Sequence, residues 1–306
     1  MDFVGKRNWF FILSLLIIVP GIVFLIIAPG LKPGIDFTGG SATTIEFSEI
    51  VEQDDLRQEL SKLYHPDAII QKLGDNAYFV RTKLLGDSSD LVDPLKVEFG
   101  GDVQALSFDL VSPVVASETV VNAMWAVLAA AVGIFFYVWW AFRKLPNPLK
   151  YGAAAIVALV HDTAVVISIF AALGVLFDVE VSTMFLIALL TVIGYSVNDT
   201  IVVFDRLREN ILLYPNRTLA ANANLSISET LGRSLNTSFT LLFAVLALLL
   251  FGGATIKIFL WVLLIGVIAG TYSSIAIATP VLVIWESGVI GRSFRRFFRR
   301  LRPSRA

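Results

Sequence analysis

The stretch TVIGYSVNDTIVVFDRLREN, residues 191–210, begins as lipid-soluble sequence and then sets a carboxylate, Asp199, inside it. Leucine, isoleucine and alanine fill the positions just before it, and Ile201 to Phe204 resume the apolar run. Similar blocks recur along the chain, which has 306 residues, 56% of them hydrophobic. Crossing a bilayer takes about 20 consecutive, mainly apolar residues. Six blocks meet or approach that length: Trp9–Ala28, Val120–Phe142, Tyr151–Leu173, Thr183–Phe204, Asn236–Phe251 and Phe259–Trp285. The fifth is short unless Arg233 and Ser234 are counted into it. The sequence therefore predicts an α-helical polytopic membrane protein. Lys6 and Arg7 precede the first block as they would in a signal peptide, but the apolar run is too long and no small-residue cleavage site follows, so it reads as a retained span.

Charge sets the expected orientation. The net charge of −1 hides a basic tail, with seven arginines between 292 and 305, and an acidic segment between Lys32 and Glu118. Basic residues beside span ends mark the cytoplasmic side. Placing both termini inside puts Lys6, Arg7, Arg143, Lys144, Arg206 and the tail in the cytoplasm, and sends Asp178, Glu180 and the acidic segment outside. A basic cluster next to a span reads as attraction to anionic membrane lipids, not as a nucleic-acid arm. With no cysteine in the chain, disulfides, thiolate metal sites and thiol nucleophiles are excluded. No metal-ligating cluster stands out.

One connection is too long for a simple loop. Residues 30–118 alternate strand and helix signals: SATTIEFS as a half-buried strand, EQDDLRQELSKLY as a helix, AIIQKLGDNAYFVRTKLL as two strands about a turn. SSDLVDPLKVEF supplies a second helix and GDVQALSFDL a closing strand. The order βαββαβ predicts an α+β, ferredoxin-like extracytoplasmic domain. The expected division is 1–29 for the cytoplasmic N-terminus and first transmembrane helix, 30–118 for the outer domain, 119–286 for transmembrane helices 2–6, and 287–306 for the basic tail. Within 119–286, residues 208–232 read as a cytoplasmic amphipathic segment, with Ser226 or Ser228 as N-cap and Glu229 in the first turn.

An aspartate near mid-bilayer costs roughly 2.5–3.5 kcal/mol to insert, and desolvation penalises its charged form while a nearby cation restores it. An acid held between those influences takes up and releases a proton, which is why such residues recur in proton relays. Arg206 lies seven positions later, roughly 10 Å along a helix, so Asp199 belongs to the inner half of the membrane. Tyr195 and Ser196 share its helical face, Asn198 adjoins it, and Gly194 offers a place for close helix approach. Arg233 begins the fifth span, with Thr237 following at helical spacing, at about the depth of Asp199 on an antiparallel neighbour. It is either a partner for Asp199 or a snorkelling anchor. His161 and Asp162, mid-way along the third span, either extend a proton path or form a structural pair between helices. PGIDFTGGS after the first span reads as a turn and strand entrance, with Gly34, Gly39 and Gly40 supplying backbone freedom.

GIDFTGG after the first span, IVALVHD in the third, VIGYSVNDTIVVFDRLREN in the fourth and TLGRSLNTSFTLL in the fifth together resemble the SecF family over nearly the whole chain. The resemblance implies half of a resistance-nodulation-division (RND) type core that pairs with SecD and assists the SecYEG translocon. There it uses the proton-motive force to help draw an unfolded polypeptide outward across the bacterial inner membrane. It implies proton-pathway roles for Asp199 and Arg233, and a family signature at Gly34, Asp36, Phe37, Gly39 and Gly40. No cofactor and no enzymatic activity are implied; the coupling ion is the proton, with sodium used in some relatives. Two rivals carry less. An RND-type exporter of a small molecule or lipid would normally hold two such halves in one chain. An intramembrane aspartyl protease would use Asp162 and Asp199, but HDT and NDT lack that chemistry's Gly-x-Gly-Asp setting.

Overall fold

The computed structural model describes residues 2–27, 30–83, 85–100, 102–253 and 256–286; the basic tail at 287–306 and part of the turn at 251–257 lie outside them. In chain order the elements are α1 (Arg7–Ile27), β1 (Lys32–Pro33), α2 (Ile35–Thr38), β2 (Gly40–Glu46), α3 (Gln53–Lys62), β3 (Ile69–Lys72), β4 (Ala77–Thr82), α4 (Ser89–Phe99) and β5 (Gln104–Val111). Then follow α5 (Pro113–Ala141), α6 (Pro148–Phe177), β6 (Glu180–Val181), α7 (Thr183–Leu213), α8 (Leu219–Phe251), α9 (Lys257–Ser273), a π-helical turn at Ser274–Ala278, and α10 (Thr279–Glu286). Among the described residues, six helical segments are long and apolar enough to cross a membrane, α9 and α10 counting as one. The chain divides into two compact units: residues 1–31, 126–175 and 184–306, and residues 32–125 with 176–183.

In the first unit, small residues let helices close on aromatic ones. Ala154, Ala155 and Ala158 of α6 are buried in the same cluster as Phe204 and Leu207 of α7. Phe142 stacks on Tyr151 at 5.4 Å, and both meet the Phe204 ring edge-on. Such aromatic pairs hold cores beyond the area they bury. The sixth span changes pitch for a stated reason. Pro280 has no N–H and crowds the carbonyl four residues back, so the turn before it widens to π geometry, and Thr279 Oγ1 donates to the Ser274 carbonyl, 3.1 Å away.

The second unit has the expected order of strands and helices. Its four-stranded sheet runs β3-β4-β2-β5, every pairing antiparallel. Tyr78, Val80 and Thr82 alternate inward from β4, as a half-buried strand should. Ile45, Leu56, Leu60, Leu91 and Leu95 complete the core between sheet and helices. The buried Tyr78 hydroxyl donates to the Val51 carbonyl at 2.5 Å.

A smaller, parallel pairing of β1 with β6 had no sequence signal. Arg81 of β4 binds it together: its guanidinium reaches Glu180 at 3.0 Å and donates to the Pro33 carbonyl at 2.8 Å and the Thr38 hydroxyl at 2.7 Å. Lys32 pairs with Asp178, whose carbonyl also accepts from Gln71. Burial pushes the Glu180 carboxyl up from its ordinary range, with Arg81 opposing the shift. The GIDFTGG stretch is not purely a turn. Ile35–Thr38 forms one helical turn, and Gly39 and Gly40 then take φ of 74° and 123°, a region costly for any residue with a Cβ. Asp36 leaves this turn to accept from the Thr183 backbone N–H at 2.6 Å, capping the start of α7.

One expectation fails at residues 208–232. They form no separate helix: they divide between the end of α7 and the first half of α8, which runs unbroken from Leu219 to Phe251. Its N-cap is Thr218, whose side chain accepts from the Ala221 N–H; Ser226 and Ser228 lie inside the helix and bond back to the carbonyls of Asn222 and Asn224. The competing rule is that a serine inside a helix satisfies itself at i−4.

Candidate functional site

Helix α7 carries the polar stripe, and its neighbours complete it. Asp199 is 3% exposed, and among the described residues its Oδ2 makes no hydrogen bond of good geometry, the buried Ser234 hydroxyl on α8 being the donor beside the carboxylate; Thr200 Oγ1 on α7 is buried and unpartnered as well. Unpaired buried oxygens each cost on the order of 1–3 kcal/mol, and native proteins keep few of them without a functional reason. Arg233 is the cation whose charge acts on Asp199. It is exposed in the single chain, and no ion pair joins the two among the described residues. The bridge considered from the sequence is therefore open in this conformation.

The supporting stripe is only partly as expected. Tyr195 Oη lies 3.0 Å from Ser238 Oγ on α8, which in turn lies 2.5 Å from Thr271 Oγ1 on α9. Ser196 donates to Asp162 Oδ2. Asn198, by contrast, is exposed and its side chain makes no hydrogen bond among the described residues, and the exposed Thr237 side chain bonds back to the Arg233 carbonyl at 3.0 Å. Both sit on helix faces turned from the buried cluster, since Asn198 is one residue, about 100° of rotation, from Asp199. Gly194 is also open: a Cβ added there would meet nothing within 4 Å. The close approach is made instead from α9: a Cβ on Gly266 would lie 2.2 Å from Val192 Cγ2, and one on Gly270 would lie 2.8 Å from Ser196 Cβ.

His161 and Asp162 belong to a second polar group. Asp162 is 1% exposed. Its Oδ1 accepts from His161 Nδ1 at 2.9 Å, and its Oδ2 accepts from Ser196 and from Ser273 at 2.7 Å. Three donors thus converge on a carboxylate that, when ionised, is acceptor only. On its other side His161 Nε2 lies 2.8 Å from Ser14 Oγ on α1. Ser196 joins the two groups, being bonded to Asp162 and standing three residues before Asp199 on one face of α7. Sequence reasoning missed Ser14, Ser234, Ser238, Thr271, Tyr272 and Ser273. The available signals were a lone serine in the first apolar run, the TYSS at 271–274, and small residues four apart at Gly266 and Gly270. The signature residues Gly34, Asp36, Phe37, Gly39 and Gly40 lie in the other unit, not in this site.

Among the described residues no group of three or more His, Asp or Glu side chains is placed to hold a metal ion.

Comparison with known proteins shows the family of the chain. Residues 92–288 match the family model for the C-terminal region of the protein export membrane protein SecD/SecF, and residues 24–49 match the SecD/SecF GG motif. The chain is 42% identical to a protein translocase subunit SecF of Thermobaculum terrenum, over 100% of this chain and 99% of that one. It is also 42% identical to the SecF of Anaerolinea thermophila, over 98% and 97%. Among solved structures it is similar to SecDF of Thermus thermophilus, a translocon-associated membrane protein, at 33% identity and a TM-score of 0.82. That match covers 94% of this chain and 39% of the SecDF chain. A second SecDF crystal structure, in a super-membrane-facing form, matches at 32% identity and a TM-score of 0.69. With the family model spanning well over half of its residues and full-length relatives at this identity, the chain belongs to the SecF family of protein translocase subunits.

Proposed function

We propose that this chain works as a non-enzymatic subunit of the Sec machinery, pairing with SecD beside SecYEG and using the proton-motive force to drive late steps of polypeptide export. It would sit in the bacterial inner membrane with both termini cytoplasmic and residues 30–118 outside. The similar SecDF structures and the SecF names of its relatives support the pairing with SecD. The observation that carries the energetic reading is Asp199: a buried carboxyl on a membrane-crossing helix, with an oxygen that makes no hydrogen bond of good geometry and a neighbouring cation not yet bonded to it.

In this reading Asp199 alternates between a neutral, protonated state and an ionised state bridged to Arg233. The open arrangement corresponds to the proton-loaded state. Ionisation draws Arg233 toward the carboxylate and so changes the packing of α8 against α7, two helices joined by the Tyr195–Ser238 bond. One charge crossing the field releases roughly 2.3 kcal/mol per 100 mV, enough to bias a two-state element by more than tenfold. His161 and Asp162 join the same pathway through Ser196. The coupling ion is the proton; sodium is the alternative, and no cofactor takes part.

The test is export into membrane vesicles with an imposed pH or sodium gradient, comparing the parent protein with Asp199→Asn in complex with SecD. Gradient-stimulated export should disappear in the variant while co-purification with SecD persists. Export of normal rate and gradient dependence from Asp199→Asn would refute the mechanism. Stimulation by a sodium gradient alone would assign the ion differently.

A further inference from the structure

The short link between α6 and α7, residues 178–182, is held by the outer sheet through more bonds than its own pairing provides. Its β6 pairs with β1 over two residues only, Lys32 with Glu180 and Pro33 with Val181, a ladder too short to persist by itself. Arg81 supplies what the ladder lacks. Strand alternation turns its side chain to the sheet face away from the Tyr78 and Val80 core. There one guanidinium reaches three groups: Glu180 of β6 at 3.0 Å, the Pro33 carbonyl of β1 at 2.8 Å and the Thr38 hydroxyl of α2 at 2.7 Å. Thr38 in turn donates to the Gly34 carbonyl at 3.0 Å, and the Gly34 N–H donates to the Val181 carbonyl at 2.8 Å. Gln71 and Lys32 each add a single tie, to the carbonyl and the carboxylate of Asp178.

Glycines let the turn around α2 close against both strands. A Cβ on Gly34 would stand 3.0 Å from the Val181 carbonyl oxygen, and one on Gly40 would stand 2.7 Å from the Thr82 carbonyl oxygen. From the same turn Asp36 caps Thr183, the first residue of α7, and only Ser182 separates β6 from that helix. The junction therefore grips α7, the helix of Asp199, at its outer end. The Arg81 and Glu180 side chains are 16% and 9% exposed. An ion pair so enclosed adds little net stability, because desolvation offsets the attraction. A guanidinium's planar fork, by contrast, fixes direction. What Arg81 supplies is geometry.

We propose that Arg81 is the positioning residue that couples the outer domain to the Asp199 helix: it clamps β6, and with it the start of α7, to the outer sheet. The inference rests on the proton-coupled reading above and adds the element through which a shift of α7 reaches the outer domain. With the clamp closed, a shift at Thr183 displaces β6, and β6 displaces β4 through Arg81. With the clamp gone, the two-residue ladder and the remaining single ties yield first, and α7 moves without the sheet. The signature of that state is slippage: protons cross while export gains nothing.

The test uses the complex with SecD and SecYEG in proteoliposomes under an imposed pH gradient, reading proton uptake and export together. Arg81→Ala should lose the gradient-stimulated part of export and keep proton uptake, so that more protons cross for each polypeptide exported. Arg81→Lys keeps the charge, but one ammonium cannot span three acceptors as the fork does, and its export should be intermediate. Asp199→Asn should lose both readouts. In parallel, amide hydrogen exchange of the full-length Arg81→Ala chain should speed up at Gly34 and Thr183 while the β2–β4 ladder stays protected. Parental gradient-stimulated export in Arg81→Ala, or equal loss of uptake and export in both Arg81 variants, overturns the clamp. Loss of protection throughout the sheet in both variants overturns it too, since Arg81 would then serve the fold alone. Normal export from Asp199→Asn refutes the proton reading on which the clamp rests, a result separate from any Arg81 outcome.

Discussion

Gly266→Ala tests whether the seam between α7 and α9 is as close as the geometry makes it. The added methyl carbon would stand 2.2 Å from Val192 Cγ2, 2.6 Å from Val192 Cγ1 and 2.9 Å from Val192 Cβ. Non-bonded carbons reach their optimum near 3.5–4.0 Å, so relief requires the helices to part by about 1 Å or more. Valine offers little rotamer escape, because its branch at Cβ restricts χ1. Overpacking of this kind costs about 1–3 kcal/mol. The displacement falls one turn from Ser196, whose bond to Asp162 joins α7 to α6, so the polar network should loosen along with the packing. Reversible unfolding of the full chain in mixed detergent measures the stability loss, and gradient-driven export by its complex with SecD measures the coupling. Gly194→Ala is the control. It lies on α7 and shares the replacement of glycine by the better helix former, about 1 kcal/mol in a helix interior, yet meets nothing within 4 Å. Gly194→Ala should therefore hold or gain stability in the isolated chain. A Gly266→Ala chain as stable as the parent, or a Gly194→Ala chain equally damaged, would refute the close-seam reading.

Two further outcomes concern the other unit. Asp36→Ala removes the acceptor that caps α7 at Thr183, a loss of about 1 kcal/mol; faster amide hydrogen exchange at Thr183 should report it, with Asp36→Asn intermediate because an acceptor remains. Glu180 has a carboxyl pushed above the usual 4.5 by burial. The folded state therefore binds its proton more tightly than the unfolded one, and the contribution of Glu180 to stability is fully present below about pH 4.5 and is lost as pH rises through the raised value. Glu180→Gln should flatten that part of the unfolding-versus-pH curve and raise stability at neutral pH. A curve of unchanged slope in that window would contradict the balance of burial over the Arg81 pairing.

The membrane spans and the critical acid were legible because both are one-dimensional signals. A lipid-crossing helix needs an unbroken apolar length, and a carboxylate within one is conspicuous. The outer unit was also readable in order, since strand alternation and helical period differ by pattern alone. Segment 208–232 misled because its polarity suggested a surface helix. Nothing local marks whether such a stretch stands alone or continues into the next span, and Thr218 was one of several residues with a capping hydroxyl.

The sequence alone determined that the chain crosses the membrane repeatedly, that an α+β segment lies between its first two spans, and that Asp199 and His161–Asp162 sit among apolar residues. Only the tertiary structure decided which of their polar neighbours face inward. Tyr195 and Ser196 enter the network while Asn198 does not, Arg233 stands near Asp199 without bonding it, and Ser14 and Tyr272 reach His161 from helices far away in the chain. The physical reason is that a hydrogen bond between helices depends on rotation and depth to within an ångström or so. Those are set by where Gly266 and Gly270 let α9 press against α7, a property of two surfaces and not of either sequence segment.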